Sequence, residues 1–503
     1  MMSKIRPLIV LFLRQYSLFF LIGSVTALSQ APLNFIWASV LGFSAFFYYI
    51  MYKKNISLFW AGHCFGFGYF LVGLHWIGNA LLTDTAQFAI FLPFAYLGLP
   101  FALGFFYAIA LWIYGEIRCY LNKKNYHNIF VRFIIFTMIL AYMDHARGTI
   151  FTGFPWNLPV YTTISMPILM QPSYLLGIYT YNFVWLLLAG SFSFYFLLQK
   201  SHWLRLALGH YLFISILAIY GYAHLHTNPI SQIHNTEQGK QKKTMLRVIQ
   251  PNIQQKLKWS PDESRNNFLE LLTLSKENLK ANYRYIFIWP ETALPFNPEY
   301  DFAAASQITD LLDNKHSLIT GKMRFIEKPA KKGEYDYYNS IFKYTPDGAS
   351  KAVFDKVHLV PFGEYLPLRF ILEKIGFSQI NFFKSGFSSG SSFKPFALTD
   401  TVTASGLICY EAIFPQYSAI IKKHNANLII NVTNDAWFGD SFGPYQHLVQ
   451  TQFRAVENNI PIIRSANTGI SAYIDKNGLI TQSLPINHKG VIDIPLNIFI
   501  KHH

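Results

Sequence analysis

The stretch Ala404-Ser-Gly-Leu-Ile-Cys-Tyr410 is a short apolar run that predicts a buried strand. A helical pattern follows at 415–424, and a second strand-like run, Leu428-Ile-Ile-Asn-Val432, comes after it. A strand, a helix and a strand in this order are typical of a parallel α/β unit, because parallel strands need a crossover connection. The carboxyl half of the chain is therefore predicted to be a layered α/β domain.

The rest of the carboxyl half continues this alternation. Short runs rich in β-branched and aromatic residues predict further strands at 246–253, 285–289, 317–325, 337–344, 351–357 and 460–474. They are separated by helical patterns at 261–281, 303–313 and 445–458. The sequence contains no phosphate-binding loop and no metal-ligand spacing, so neither a cofactor nor a metal ion is expected. We predict an α/β domain at 244–497, which follows a polar linker at 227–243.

The first 226 residues have a different character. The whole chain of 503 residues is 52% hydrophobic and 14% charged, which is too apolar for an ordinary soluble protein. A helix needs about 20 apolar residues to cross a bilayer. By that measure about seven spans are predicted, near 8–27, 33–52, 58–81, 86–115, 129–143, 172–198 and 204–223. The expected fold is a polytopic α-helical membrane domain at 1–226 followed by the α/β domain.

Basic residues indicate how the chain is oriented in the membrane. The net charge is +15, but Lys and Arg punctuate the apolar runs instead of collecting on one polar face, so no nucleic-acid partner is predicted. Alternate loops carry the positive charges expected on the cytoplasmic side, at Lys4, Arg6, Lys53, Lys54, Arg118, Lys123, Lys124 and Lys200. In the intervening loops the only Lys or Arg residue is Arg147. An odd number of spans then puts the α/β domain outside the cytoplasm, which is the periplasm in a bacterium with two membranes.

The α/β half contains a single cysteine, Cys409, which is therefore predicted to be a free thiol. A lone cysteine in an apolar run is usually a core residue. However, Glu291, Lys356 and Cys409 each end a predicted strand, and ligand sites form at the carboxyl ends of strands in α/β sheets. A thiol, a carboxylate and a fixed cation are the groups that acyl transfer through a thioester requires. We predict that these three side chains form one catalytic site.

Lys356 is expected to act twice in such a site. An ammonium near the thiol favours the thiolate, and the same charge stabilises the oxyanion of a tetrahedral intermediate. The backbone N–H of Tyr410, which directly follows Cys409, is a candidate for a second oxyanion donor.

Several longer motifs resemble those of a known family. They are Arg147-Gly148 with Thr152-Gly-Phe-Pro-Trp156, Leu257-Lys-Trp259, Trp289-Pro-Glu-Thr-Ala293, His358-Leu-Val-Pro-Phe-Gly-Glu-Tyr365, Ile408-Cys-Tyr-Glu411 and Asn434-Asp-Ala-Trp-Phe-Gly439. Over nearly the whole chain they resemble the apolipoprotein N-acyltransferases, a family within the nitrilase (carbon-nitrogen hydrolase) superfamily. The resemblance implies that the α/β domain is an αββα sandwich.

The resemblance also implies a mechanism. Glu291 would be the general base, Lys356 the oxyanion-stabilising cation and Cys409 the nucleophile. In a ping-pong reaction, Cys409 would accept a fatty acyl group from a membrane phospholipid. The α-amine of the diacylglyceryl-cysteine at the amino terminus of an apolipoprotein would then take that acyl group. The expected partners are these two lipid substrates and the membrane, and the expected location is the bacterial inner membrane.

Further residues match family positions linked to function. Glu364, Glu411, Tyr410 and Asn339 would support the triad, and Trp259 would bind substrate. Considered without the family, Glu364 also fits a solvent-facing carboxylate, Asn339 a turn amide and Trp259 a core aromatic. These alternatives stay open at the level of the sequence.

Two other functions also remain open. A membrane-tethered amide or nitrile hydrolase would use the same triad with water as the acceptor, but a soluble substrate gives no reason for so large an apolar half. A lipid-binding or transport protein would use the α/β domain only as a scaffold, and the presence of all three triad residue types argues against it.

The end of the chain departs from the family pattern. Family members usually have another transmembrane helix after the catalytic domain. Residues 498–503 form a tail that is too short to cross a bilayer, so no closing helix is expected.

Overall fold

The chain forms two compact units. A computed structural model describes all residues except Met1, Lys54, Trp259, Pro295, Glu373 and the ranges 85–88, 228–242, 330–332, 375–385 and 501–503. The first, helical unit comprises Met1–Thr227 and Ser441–Val449, and the second, α/β unit comprises Asn228–Asp440 and Gln450–His503. The predicted linker lies almost wholly outside the described residues, as does half of the predicted tail. The domain limits drawn from the sequence therefore remain predictions.

Each predicted apolar run of the first unit contains a helix. The helices are α1 (Met2–Thr26), α2 (Ile36–Tyr52), α3 (Leu58–Gly73), α4 (Leu99–Lys123), α5 (Ile129–Arg147), α6 (Pro172–Ser191) and α7 (Trp203–Thr227). Within the described part of the chain, five stretches are long and apolar enough to cross a membrane, namely Val10–Ser29, Ala89–Lys123, Ile129–Arg147, Pro172–Leu197 and Lys200–Thr227. Because α2 and α3 are apolar but shorter, the number of seven crossings stays a prediction.

Aromatic side chains and glycines pack these helices closely. Phe46 of α2 stacks on Phe65 of α3 with ring centroids 3.9 Å apart, and both side chains are fully buried. A Cβ atom on Gly62 of α3 would lie 2.3 Å from the carbonyl oxygen of Tyr107 in α4, so the two helices can approach this closely only at glycine. Outward-facing positions such as Trp37 remain apolar. This pattern suits a helix bundle surrounded by lipid.

The proline-rich segment between α5 and α6 is not one continuous helix. It forms short turns and the four-residue helix Pro167–Met170, because proline removes a hydrogen-bond donor and clashes with the preceding turn. Arg147 fixes the start of this segment by donating to the carbonyl oxygens of Phe154 at 2.6 Å and Trp156 at 2.7 Å. It also pairs with Asp144 at 3.0 Å. The charge of Arg147 is thus neutralised within the unit, so this residue does not contradict the predicted orientation.

The described residues of the α/β unit form two six-stranded sheets. The strands are β1 (Lys243–Gln250), β2 (Tyr283–Ile288), β3 (Ser317–Glu327), β4 (Tyr335–Tyr344), β5 (Ser350–Asp355), β6 (Phe396–Ala397), β7 (Thr403–Ile408), β8 (Leu428–Thr433), β9 (Ile462–Ala466), β10 (Ser471–Ile474), β11 (Ile480–Leu484) and β12 (Gly490–Pro495). One sheet has the order β12-β1-β2-β3-β4-β5 and the other β11-β10-β9-β8-β7-β6. β1, β2 and β3 are parallel neighbours, as are β7, β8 and β9.

The sheets pack face to face between helices. Ser465 of β9 links them by its hydroxyl group, which lies 3.1 Å from the carbonyl oxygens of Ile249 and Ile288. The helices are α8 (Pro261–Lys276), α9 (Phe302–Leu312), α10 (Gln416–Lys423) and α11 (Phe442–Asn458), of which α11 belongs to this unit from Gln450 onwards. Apolar side chains of α8 and α9, including Phe268 and Ile308, pack on the first sheet, while α10 and α11 connect the parallel strands of the second. The predicted αββα sandwich is confirmed.

Candidate active site

Cys409 lies just beyond the carboxyl end of β7. The strand ends at Ile408, and Cys409 begins a 3-10 turn, Cys409–Ile413. The prediction of a strand through Tyr410 is therefore wrong by two residues. Cys409 has a φ of +51°, a left-handed conformation that is strained for a residue other than glycine and that persists only where the surroundings hold it. Its side chain is buried, with 8% exposure.

Glu411 holds this turn in place. Its carboxylate is fully buried and accepts hydrogen bonds from the backbone N–H groups of Ile408 at 2.7 Å, Val357 at 2.7 Å and His358 at 3.1 Å. Burial raises the pKa of Glu411 to about 7, although the three N–H groups and Lys356 oppose this shift. The side chain thereby fastens the segment after β5 to the end of β7. Its geometry fits the supporting role that the family resemblance implies.

Lys356 connects two carboxylates directly after β5. Its Nζ atom lies 2.8 Å from Oε1 of Glu364 and 3.4 Å from Oε1 of Glu291. Burial opposes the charge on this ammonium, but the negative charges of Glu364 and Glu291, and that of Cys409 once it is ionised, outweigh burial and raise its pKa. Lys356 therefore carries a permanent positive charge at this site. Glu364 is largely buried, so the solvent-facing alternative for it is wrong.

Asn339 bridges the same two carboxylates from the neighbouring strand. It lies within β4, so the turn-amide alternative is also wrong. Its Nδ2 atom donates to Oε1 of Glu291 at 2.7 Å and to Oε1 of Glu364 at 3.2 Å. One amide and one ammonium thus bind the same carboxylate oxygens. This arrangement fixes the rotamer of Glu291 in the site.

The Cys409 thiol is protonated at neutral pH. Burial raises its pKa to about 12, and the charge of Glu291 acts in the same direction. Lys356 lowers the pKa but does not compensate for burial. The expected direction of the lysine's effect, towards the thiolate, is therefore confirmed, although burial outweighs it. A thiol of this kind must lose its proton during the attack, and Glu291 is the carboxylate beside it.

This protonation state predicts a specific pH dependence of alkylation. Because the pKa of Cys409 is about 12, the thiolate fraction should rise tenfold per pH unit between roughly pH 7 and pH 10. We expect the rate of alkylation of Cys409 by iodoacetamide, followed by peptide mass spectrometry in a chain whose Cys64 and Cys119 are replaced by serine, to rise with that slope. A plateau near neutral pH would contradict this prediction.

The functional roles of the two remaining predicted residues, Tyr410 and Trp259, stay predictions. Tyr410 is buried and its ring lies edge-on to that of Phe414, with centroids 5.0 Å apart. Its ring also lies 5.8 Å from that of His358. The backbone N–H of Tyr410 as an oxyanion donor stays a prediction. Trp259 lies outside the described residues, so its proposed contact with substrate also stays a prediction.

A buried lysine that the sequence analysis did not assign lies beside Glu291. Nζ of Lys258 donates to the backbone carbonyl oxygen of Glu291 at 2.9 Å. Burial lowers the pKa of Lys258 to about 8, opposed by the charges of Glu291 and Cys409. Its place in the motif Leu257-Lys-Trp259 was the signal that could have identified it. Among the described residues, no group of three or more His, Cys, Asp or Glu side chains is arranged to hold a metal ion.

Comparisons with known proteins found a family match in each of the two units. The model of the carbon-nitrogen hydrolase family matches residues 245–498, and that of the apolipoprotein N-acyltransferase N-terminal domain matches residues 22–191. The apolipoprotein N-acyltransferase of Brucella melitensis biotype 1 is 37% identical over 94% of this chain and 88% of its own length. That of Allorhizobium ampelinum is 36% identical over 93% of this chain and 87% of its own length. An amidase of the nitrilase superfamily from Nesterenkonia AN1 covers 52% of this chain and 94% of its own, with 17% identity and a TM-score of 0.36. The chain belongs to the apolipoprotein N-acyltransferase family.

Proposed function

We propose that this protein transfers a fatty acyl group from a membrane phospholipid to the amino-terminal α-amine of diacylglyceryl-modified apolipoproteins, with Cys409 as the nucleophile. The observation that supports this proposal most directly is the buried cluster in which Lys356 pairs with Glu291 at 3.4 Å and both charges act on the thiol of Cys409. It combines a base, a cation and a thiol in one water-poor site. The identities of the two substrates are inferred from the family to which the chain belongs.

In the first half-reaction, Sγ of Cys409 attacks the carbonyl carbon of a phospholipid ester while Glu291 takes the thiol proton. The positive charge of Lys356 stabilises the oxyanion that forms. The C–O bond of the ester then breaks, and the lysophospholipid oxygen leaves with the proton that Glu291 returns. The product is an acyl thioester on Cys409.

In the second half-reaction, the neutral α-amine of the acceptor attacks the thioester carbon. Glu291 takes the proton that the amine loses, and the C–S bond breaks as the amide forms. Cys409 leaves as a thiolate and recovers its proton from Glu291. Water competes with the amine for the thioester, so a site as buried as this one favours transfer over hydrolysis.

Exposed apolar side chains near Glu364 support a lipid substrate. Phe362 lies two residues before it, and Leu368, Phe370 and Ile371 follow shortly after; all four side chains are exposed. Exposed apolar patches of this kind mark surfaces that meet lipid or protein partners. A hydrolase of small soluble amides would not need them. This observation favours the acyltransferase over the hydrolase alternative.

The protein is proposed to be a multi-pass protein of the bacterial inner membrane, with the α/β unit in the periplasm. The apolar helices of the first unit and the alternation of basic loops support this orientation. A membrane-impermeant maleimide applied to intact spheroplasts should therefore label a cysteine introduced at Lys489, which lies in the α/β unit and has an exposed side chain. Protection of that cysteine until the membrane is permeabilised would contradict the orientation.

The acyl transfer itself is tested with a phospholipid that carries an alkyne-tagged acyl chain. After incubation without an acceptor, we expect a tag on the peptide that contains Cys409, and hydroxylamine should remove it because it cleaves thioesters. Adding a diacylglyceryl-modified peptide should move the tag to the amino terminus of that peptide. A tag that never reaches Cys409 would contradict the proposal. Turnover of small amides without lipid, in place of acyl transfer, would favour the hydrolase, and lipid binding without a covalent tag would favour the transport protein.

A further inference from the structure

Thr433 lies beside the nucleophile on the neighbouring parallel strand. Ile408 of β7 pairs with Val432 of β8, so the next residues along the two strands are Cys409 and Thr433. Thr433 ends β8 and is fully buried. Its hydroxyl group hydrogen-bonds the thiol of Cys409. Thr433 is therefore a direct neighbour of the sulfur atom, although it belongs to none of the catalytic residues considered above.

A buried ion pair holds the hydroxyl group of Thr433. Oγ1 of Thr433 donates to Oδ1 of Asp435 at 2.9 Å, and Oδ2 of Asp435 accepts from Nη2 of Arg464 at 2.6 Å. Neither Asp435 nor Arg464 has an exposed side chain. Because the guanidinium balances the charge of the carboxylate, Asp435 can stay ionised in this buried position and accept the hydrogen bond of the hydroxyl group.

The same arginine also supports the strand that carries the nucleophile. Nη1 of Arg464 donates to Oδ1 of Asn431 at 2.5 Å, and Nδ2 of Asn431 donates to the carbonyl oxygen of Leu407 at 3.1 Å. Gly469 passes so close to Asp435 that a Cβ atom would lie 2.4 Å from Oδ2. The carboxylate therefore has little freedom to move, and the orientation of the hydroxyl group follows from its position.

A hydroxyl group has one proton and two lone pairs, which allows two arrangements here. In the resting enzyme its proton points to Asp435, so its lone pairs can accept the S–H group of Cys409. When the thiol has lost its proton, the hydroxyl can rotate and donate to the thiolate, while Asp435 keeps its bond to Arg464. A hydrogen bond to the charged form stabilises that form.

We propose that Thr433 is a positioning residue, which orients the thiol of Cys409 before the attack and donates a hydrogen bond to its thiolate, and that the Asp435–Arg464 pair holds Thr433 for this purpose. The proposal rests on Cys409 being the nucleophile. Three charged groups act on this sulfur, namely Glu291, Lys356 and Asp435. Thr433 differs from them because it contributes a hydrogen bond without a charge.

The test compares Thr433→Val with Thr433→Ser in the full-length protein. Valine keeps the shape and removes the hydroxyl group, whereas serine keeps the hydroxyl group. Ser405→Ala is the matched control, because Ser405 is fully buried in β7, four residues before Cys409, and its hydroxyl makes no hydrogen bond with any residue that the structure describes. Each variant is measured for thioester formation with vesicles of alkyne-tagged phospholipid, for iodoacetamide alkylation at pH 9, and for thermal stability.

We expect Thr433→Val to form the thioester about 10- to 100-fold more slowly, since a hydrogen bond to a charged group contributes about 1.5–3 kcal/mol. Its alkylation at pH 9 should slow by roughly tenfold or more, and the half-saturating phospholipid concentration should not change. The rates of Thr433→Ser should stay within about threefold of those of the wild type, and the rates of Ser405→Ala should equal those of the wild type.

Two results would overturn the assignment of Thr433. One is an unchanged alkylation rate in Thr433→Val, and the other is a loss in Thr433→Ser as large as in Thr433→Val, which would show that only packing matters. Measurement of thermal stability distinguishes a folding defect from either result. If the Thr433→Val variant does not fold, the activity of Thr433→Ser still decides the question. If the wild type itself forms no thioester at Cys409, the proposed nucleophile fails, and that failure is visible before any Thr433 variant is measured.

Discussion

Replacing Cys409 with alanine is expected to abolish both thioester formation and acyl transfer. The sulfur atom is the only described thiol within reach of Glu291 and Lys356, and no neighbouring group can take its place as a nucleophile of similar strength. Turnover should fall below detection with the alkyne-tagged phospholipid assay. The folded state should survive, because alanine also fits the buried turn and the bonds of Glu411 to the backbone are unaffected.

The matched control for this variant is Cys119→Ala. Cys119 is an exposed free thiol at the end of α4, so its loss should leave acyl transfer unchanged. Both variants should insert into membranes and melt within a few degrees of the wild type. Normal acyl transfer by Cys409→Ala would end the proposal that this residue is the nucleophile, and a loss of activity in Cys119→Ala would point to a general defect instead.

The fold could be predicted from the sequence where local patterns are strong. The long uncharged runs identify all seven helices α1 to α7, and β-branched runs identify β2, β3 and β8 within a few residues. The run at 460–474 is, however, two antiparallel strands, β9 and β10, because Gly469 lies in the tight connection between them. The edge strands β6, β11 and β12 escaped prediction. β11 is largely exposed and β6 has only two residues, so neither has a strong apolar pattern.

The site could be predicted in its residues but not in its electrostatics. Glu291, Lys356 and Cys409 could be identified because each follows a predicted strand. The rule that ligand sites form at the carboxyl ends of strands in α/β sheets depends only on topology. The pKa of Cys409 depends on burial and on the sum of several charges, and a sequence does not give these distances. Lys258 and the Asp435–Arg464 pair were missed for the same reason. The contacts of Lys258 with Glu291 and of Arg464 with Asp435 join segments that are far apart in the chain.

Replacing Lys356 with methionine is expected to lower turnover by roughly 1000-fold or more. Removal of one oxyanion-stabilising group typically costs about 100- to 1000-fold. Here the loss is larger because Glu291 and Glu364 would lose the ammonium group that lies 3.4 Å and 2.8 Å from them. A buried carboxylate that loses its ion-pair partner is also held less firmly, so Glu291 would be less well placed to act as the base.

The measurement separates catalysis from binding and from stability. Single-turnover thioester formation in Lys356→Met should be slow at every phospholipid concentration, whereas phospholipid binding should remain, since the ammonium acts on the transition state. Lys322→Met is the matched control. Nζ of Lys322 is equally buried and lies 2.6 Å from a carboxylate oxygen of Glu299, but it does not belong to the site. This control should lose stability without losing turnover per folded molecule.

The comparison of the two lysines decides what the buried charge of Lys356 does. If both variants lose stability and neither loses turnover, Lys356 is a structural cation like Lys322. If Lys356→Met only raises the half-saturating phospholipid concentration, its role is in substrate binding and the oxyanion assignment is wrong. A loss of turnover confined to Lys356→Met leaves stabilisation of the transition state as the explanation, because both lysine side chains are buried beside a carboxylate but the charge that acts on Cys409 is that of Lys356.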